Sequence, residues 1–260
     1  MNGEVVRALP PAGTAAPRSR AIAAMAAMEL RLALRRGETL VATAVLPVVV
    51  LAFFSSVSIL PVPAGRPVDF LLPGSIAFAI IATSLVSLGI TTAYDRYYGV
   101  LKRLGGSPLS RGELIAAKIL AVLVVEIVQA VLLVGVAAGV LGWTPSSGVS
   151  IGLASASLLL GTVAFAGVGL LLAGMLRAET MLAVANLLFV ASLVLGGIIL
   201  PLDHLPPPLA SFAAALPASA LTDAFRIALG GTGDAGGPLG LLAGWAVGSV
   251  LIAARTFRWE

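Results

Sequence analysis

The chain has 260 residues, of which 59% are hydrophobic and only 11% are charged, and its mean hydropathy is +1.06. Soluble domains carry roughly 25% charged residues, so this composition excludes a soluble globular protein and requires lipid around the apolar surface. The absence of cysteine excludes disulfides and thiolate metal sites. The net charge of +4 comes without a basic stripe interleaved with aromatic residues, so we expect no nucleic-acid partner.

The N-terminal segment is polar and lacks the apolar core of a secretory signal. We expect residues 1–19 to form a disordered cytoplasmic tail. Between Arg20 and Arg36, apolar residues then recur at helical spacing, namely Ile22, Met25, Met28 and Leu32. This pattern predicts an amphipathic helix lying in the membrane interface. The alternative, an extension of the first span, is costly because an arginine at the bilayer centre costs roughly 2.5–3.5 kcal/mol.

Six apolar stretches approach the length of about 20 residues that a spanning helix needs. Unbroken apolar runs predict helices, since a membrane barrel would show alternating strands. The predicted spans are Leu40–Leu60, Phe70–Thr92, Leu114–Leu141, Val149–Leu176, Met181–Leu200 and Leu239–Ala254. We therefore predict an all-α integral membrane protein with six transmembrane helices, formed by one domain over residues 20–255, and a cytoplasmic C-terminal tail over residues 256–260.

The distribution of lysine and arginine predicts the orientation of these spans. Fourteen of the 16 basic residues fall in the N-terminal segment, the second loop, the fourth loop or the C-terminal tail. Only Arg66 and Arg226 fall on the opposite side. Because positive residues are retained on the cytoplasmic side, we expect both termini in the cytoplasm and a multi-pass protein of the cytoplasmic (inner) membrane.

A long external segment, Pro201–Pro238, connects the fifth and sixth predicted spans. It is too polar and too rich in proline to cross the membrane. Within it, Leu221, Phe225 and Leu229 follow one another at intervals of four residues. This spacing predicts a short amphipathic helix over Leu216–Leu229 that rests on, or dips into, the outer leaflet.

Several catalytic motifs are missing from the sequence. No phosphate-binding loop of the form G-x-x-x-x-G-K-[ST] occurs, so we expect no nucleotide hydrolysis by this chain. His204 is the only histidine, which excludes a histidine-rich metal site, and no G-x-S-x-G nucleophile motif occurs. We therefore expect no catalytic residues and no bound metal or cofactor.

The most informative segment is the loop between the second and third predicted spans, Tyr94–Lys118. It opens with the charge pair Asp95-Arg96 and continues into a short amphipathic helix, which a Gly-Gly-Ser-Pro break ends. Ser110 then stands three residues before Glu113, as in a capping box, which predicts the start of the third spanning helix.

This loop resembles the permease subunits of ABC-2 type transporters. The positions that match the family pattern are Asp95, Arg96, Gly99, Leu101, Lys102, Arg103, Leu104, Pro108, Leu109, Ser110, Arg111 and Glu113. A second region, from Gly196 through Pro201 to Asp223–Arg226, is similar to the segment that follows the fifth span in that family. The loop departs from the family at Tyr94, Tyr97 and Tyr98, where more charge is usual.

The resemblance implies a permease that works as a dimer with an identical or homologous second permease. A separate cytoplasmic ABC ATPase, which binds ATP and Mg, would dock on the loop through a coupling helix. It implies export of an amphipathic drug-like or lipid-like substrate. The alternative for the loop is a solvated positive segment without a partner. The alternatives for the function are export of a polysaccharide or glycolipid, an integral membrane enzyme acting on lipids, and an ion-coupled carrier.

One acidic residue lies well inside a predicted span. Glu126 is near the middle of the third span, and Gln129 follows on the same helical face. A carboxylate in lipid is costly, so the side chain must face protein or water, or carry a proton. Substrate contact and hydrogen bonding to another helix, for example to Asn186 in the fifth span, are both open.

Overall fold

The computed structural model describes residues 17–35, 37–57, 66–106 and 110–256, without the side chains of residues 38–42. In these ranges the regular structure is helical, as predicted, apart from an isolated bridge between Val149 and Leu229. The α-helices are α1 (Arg18–Arg35), α2 (Gly37–Ser56), α3 (Pro67–Ile80), α4 (Leu88–Tyr97), α5 (Val100–Gly105), α6 (Arg111–Gly139), α7 (Ile151–Met175), α8 (Ala178–Leu195), α9 (Pro207–Ala214), α10 (Pro217–Ala228) and α11 (Gly236–Thr256).

Five helices within the described ranges are long and apolar enough to cross a membrane. They are the continuous segment Pro67–Tyr97 and the helices α6, α7, α8 and α11. Each coincides with one of the predicted spans. The first predicted span coincides with α2, whose apolar part, Thr43–Ser56, is shorter than the other five. The sixth crossing therefore stays a prediction.

The helix predicted before the first span is present as α1, and its place in the membrane interface stays a prediction. It lies against the beginning of α6, where Met25 and Ala26 are buried together with Leu114 and Ala117. The predicted N-terminal tail falls almost entirely on residues 1–16, outside the described residues, and Arg18 already belongs to α1. Residues 257–260 of the predicted C-terminal tail are also outside the described residues, and Thr256 ends α11.

The second span is continuous but changes its helical form near its middle. Ile81–Ser87 is a π-helical segment between α3 and α4, and the Leu88 amide there bonds the Thr83 carbonyl. A β-carbon at Gly169 of α7 would lie 2.9 Å from the carbonyl oxygen of Ser84 and 3.0 Å from that of Leu85. Glycine therefore lets the backbone of α7 approach the π-helical segment directly.

The helix α10 forms within the predicted segment Leu216–Leu229 and packs against other helices of the bundle, while its depth relative to the outer leaflet stays a prediction. Leu221 and Phe225 are at most 2% exposed and belong to the main apolar core. The helix contacts α3, α7 and α11. A β-carbon at Gly161 of α7 would meet the Leu221 side chain at 2.5 Å. The apolar face that predicted a lipid contact is covered by protein instead.

Candidate functional site

The short helix of the second loop is α5, Val100–Gly105. Asp95 and Arg96 precede it in the last turn of α4, so the second span extends beyond its predicted end at Thr92. Gly99 separates the two helices with a φ of +70°, a conformation that glycine adopts without steric cost. Leu101 is 1% exposed and packs with α1 and α6. The apolar side of α5 is therefore anchored to the bundle.

The capping box at the start of α6 is confirmed. The Glu113 amide donates to Ser110 Oγ over 3.3 Å, and the Ser110 amide donates to Glu113 Oε2 over 2.8 Å. Together these bonds satisfy two amides that a helix start leaves without partners. Pro108 and Leu109 lie outside the described residues.

Arg96 joins the C-terminal ends of α4 and α7. Its guanidinium donates hydrogen bonds to the carbonyl oxygens of Gly174 and Leu176. The last carbonyls of a helix have no partner within that helix, and a cation there also interacts favourably with the helix dipole. The predicted coupling residue is therefore a clamp between two spans, and its side chain is partly buried rather than displayed on the surface.

Lys118 is a buried cation that ties three helices together. Its Nζ lies 2.7 Å from a carboxylate oxygen of Glu29 on α1 and 3.2 Å from one of Asp95 on α4. The lysine side chain is 1% exposed, and the two carboxylates are 14% and 18% exposed. Two carboxylates, Glu29 and Asp95, share one ammonium group, Lys118, so these three side chains carry one more negative than positive charge. Helices α1, α4 and α6 thus meet at one ion-paired centre, formed by Glu29, Asp95 and Lys118.

We call the described residues 95–106 and 110–113, which join α4 to the start of α6, the coupling segment, and its outer side is exposed. The tyrosines Tyr97 and Tyr98 are 65% and 68% exposed, and Lys102, Arg103 and Arg111 are also exposed. Aromatic and arginine side chains are enriched at protein interfaces. This segment therefore has an anchored inner side and an outer side with the residue types of a docking surface.

Glu126 is buried in the centre of the bundle, with 1% exposure. Ser84 Oγ of the π-helical segment donates to its Oε1, and Thr162 Oγ1 of α7 makes a hydrogen bond with its Oε2. The acid therefore contacts the second and fourth spans from the third span. Glu126 faces protein, and its contacts are those of a helix-bonding residue.

We call the hydrogen-bonded side chains around Glu126 the polar group, and Gln129 extends this group toward α2. Thr83 donates to Gln129 Oε1 over 3.0 Å, and the Gln129 amide donates to Thr43 over 3.2 Å. The suggested contact between Glu126 and Asn186 does not occur. Asn186 is exposed and donates to the carbonyl of Leu182 in its own helix, over 2.8 Å.

A small cavity lies between the ion-paired centre and the polar group. Glu29, Asp95 and Lys118 line one part of it, and Thr43 and Thr83 line another. Its volume is about 80 Å³, well below the roughly 300–1,000 Å³ of a drug-sized binding pocket. In this conformation the cavity can hold water but not a drug-like substrate.

At the opposite end of the bundle, Arg226 of α10 ties this helix to the segment that follows α8. Its guanidinium donates to the Gly197 carbonyl and lies 3.1 Å from an Asp223 carboxylate oxygen. It also stands 4.1 Å from the centre of the Phe70 ring, a cation–π contact. Burial raises the pKa of Asp223, and the Arg226 charge opposes this shift.

The sequence pattern pointed to the coupling segment and to Glu126 but missed most of their partners. From the sequence, Lys118 is one of the basic residues assigned to the cytoplasmic side, and Glu29 is a polar residue of the helix before the first span. No sequence pattern predicts that the two form an ion pair. Ser84 and Thr162 gave no signal, because isolated hydroxyl residues are common in spanning helices. No group of three or more histidine, cysteine, aspartate or glutamate residues within the described ranges could hold a metal ion.

The chain matches a protein family over most of its length. A sequence model described as ABC-2 type transporter matches residues 20–229, which include α1, the coupling segment, Glu126 and α10. No curated protein matches the chain.

Proposed function

This chain belongs to the ABC-2 type transporter family, and we propose that it is the permease subunit of an ATP-driven exporter. It moves an amphipathic drug-like or lipid-like substrate out across the cytoplasmic membrane. A separate cytoplasmic ABC ATPase binds ATP and Mg and supplies the energy. The six crossings comprise α2 and the five longer spans, and both termini are cytoplasmic.

The observation that carries this proposal is the construction of the coupling segment. Helix α5 is fixed on its inner side by Leu101, while Lys102 and Arg103 are exposed on its outer side. Arg96 of α4, which precedes α5, donates hydrogen bonds to α7. Lys118 of α6, which follows α5, pairs with α1 and α4. A force applied to this segment by a partner would therefore reach four helices through specific contacts.

The exposed face of α8 supports a second permease as a partner. Leu187, Val190 and Val194 are 68%, 58% and 48% exposed, and Asn186 lies exposed among these apolar residues. Polar side chains in spanning helices form hydrogen bonds across helix interfaces. A second permease that covers this face would place a polar partner beside Asn186.

The function is tested by ATP-dependent transport in reconstituted vesicles. The tagged chain is expressed with the ABC ATPases of its own organism, and the complex that co-purifies is placed in liposomes with a fluorescent phospholipid or a lipophilic cationic dye. We expect no ATP hydrolysis by the chain alone, and ATP-dependent movement of a probe by the complex.

The matched control is the same complex with the catalytic base of the ATPase replaced, which should bind ATP without moving either probe. ATP hydrolysis by this chain in the absence of any ATPase would contradict the proposal. So would probe movement at equal rates with and without ATP.

A further inference from the structure

We propose that Glu126 is held as a neutral carboxylic acid, with its own proton donated from Oε2 to Thr162 while Oε1 accepts a hydrogen bond from Ser84. A proton bound at the middle of the membrane then joins the second, third and fourth spans. This inference goes beyond the transport function and does not depend on it.

The hydrogen bonds around Thr162 accommodate a proton on Glu126. Thr162 Oγ1 lies 2.7 Å from the carbonyl oxygen of Leu158 and also within hydrogen-bond distance of Glu126 Oε2. The hydroxyl has one proton, which can go to the Leu158 carbonyl. The contact with Glu126 is then filled by a proton on Oε2, because a hydroxyl oxygen can also accept. Ser84 Oγ donates to Oε1, and every polar atom of the group has a partner.

The surroundings of Glu126 contain no charge to balance a carboxylate. Thr43 of α2, Thr83 and Ser84 of the π-helical segment, and Thr162 of α7 are all uncharged, and so is Gln129 on α6 itself. By sequence, Glu126 is the only charged residue from residue 119 to residue 176, and residues 70–94 and 237–254 contain none.

The charged groups on the helices packed against α6 lie elsewhere, and the arginines of α1 (Arg18, Arg20, Arg31 and Arg35) are all exposed. Asp69 is at the external end of α3, Arg255 is at the far end of α11, and Glu38 is at the beginning of α2. Glu29 of α1 and Asp95 of α4 are paired with Lys118. Lys118 precedes Glu126 by about 12 Å along the helix, at a rise of 1.5 Å per residue. A buried carboxylate without a cation is strongly disfavoured and takes up a proton instead.

The neutral acid gives Glu126 a defined structural role. A carboxylic acid both donates and accepts, so it bonds two helices at once, whereas an ionised carboxylate only accepts. The bonded helices include α7, which Arg96 clamps at its C-terminal end, and α6, which starts at the Ser110 cap. The acid therefore joins, at mid-membrane, the second and third spans, which end and begin at the coupling segment, to α7, which Arg96 clamps.

Infrared difference spectroscopy tests the proposal directly. The purified chain in lipid nanodiscs is compared with Glu126→Gln at neutral pH, and the difference isolates the vibrations of this one carboxyl group. We expect the carbonyl band of a protonated acid in the wild-type protein and its loss in the variant. In Thr162→Val, in which Glu126 is retained, that band should move to higher frequency because a hydrogen bond is lost.

Thermal unfolding supplies the second readout. Glutamine has the same shape as a neutral glutamic acid and can accept from Ser84 while donating to Thr162. We expect Glu126→Gln to unfold at the wild-type temperature and Glu126→Leu to unfold at a clearly lower one. Three results would overturn the proposal: carboxylate bands in place of the acid band, a Glu126→Gln variant as destabilised as Glu126→Leu, or a Glu126→Gln variant that does not fold.

Discussion

Replacing Lys118 with methionine is expected to destabilise the fold by about 3–5 kcal/mol, the usual effect of removing one partner from a buried ion pair. The ammonium group is 1% exposed and is shared by Glu29 and Asp95. Without it, two largely buried carboxylates face each other with no cation between them. The thermal unfolding of the purified chain in detergent, followed by tryptophan fluorescence, measures the loss.

The control for this prediction is Arg111→Met, which removes the same charge from an exposed position at the start of the same helix. It should change stability by about 0.5 kcal/mol or less, as surface substitutions usually do. Adding Glu29→Gln and Asp95→Asn to Lys118→Met should restore part of the loss, because no uncompensated charge remains. Equal stability of Lys118→Met and Arg111→Met would contradict the role of the ion-paired centre.

Replacing Arg96 with alanine is expected to weaken both the fold and the transmission of force from the coupling segment. Each hydrogen bond from a charged group contributes about 1.5–3 kcal/mol, and Arg96 makes two, to the carbonyls of Gly174 and Leu176. Arg96→Lys keeps the charge but lacks the planar fork that reaches both oxygens. We therefore expect an intermediate effect from lysine and the largest from alanine.

Two measurements check the Arg96 prediction together. Thermal unfolding should rank wild type above Arg96→Lys and Arg96→Lys above Arg96→Ala. In the complex with its ATPase, substrate-stimulated ATP hydrolysis should fall in the same order while the chain stays in the membrane. Arg103→Ala, which removes an exposed arginine from α5, is the control for stability and should unfold like wild type. Wild-type stability and coupling in Arg96→Ala would refute the clamp.

The sequence predicted those elements that depend on local patterns. Five of the predicted spans coincide with long apolar helices, and the capping box at Ser110 and Glu113 has the predicted bonds. These features follow from apolar length and from the spacing of two side chains within one turn, so no knowledge of distant contacts is needed. The existence of α5 was also predictable, since Gly99 and the Gly-Gly pair mark its two ends.

The remaining features depend on contacts between residues far apart in the chain. Lys118 has the same sequence pattern as a solvated cytoplasmic lysine, and only the approach of α1 to α4 and α6 buries it. Periodicity gave α10 an apolar face but could not say whether lipid or protein covers it. The pairing of Glu126 with Thr162 depends on the packing of α6 beside α7. Gly169 lets α7 approach the π-helical segment, and a glycine in an apolar helix does not reveal its neighbour.

The docking of an ATPase on the coupling segment can be tested by site-specific cross-linking, because the chain contains no cysteine. A photoreactive probe is attached to Tyr98→Cys, beside α5, or to Val140→Cys, at the opposite end of α6. The two native side chains have similar exposure, 68% and 75%. In the co-purified complex, the probe at residue 98 should capture the ATPase and the probe at residue 140 should not. Capture at residue 140, or none at residue 98 in an intact complex, would contradict the account.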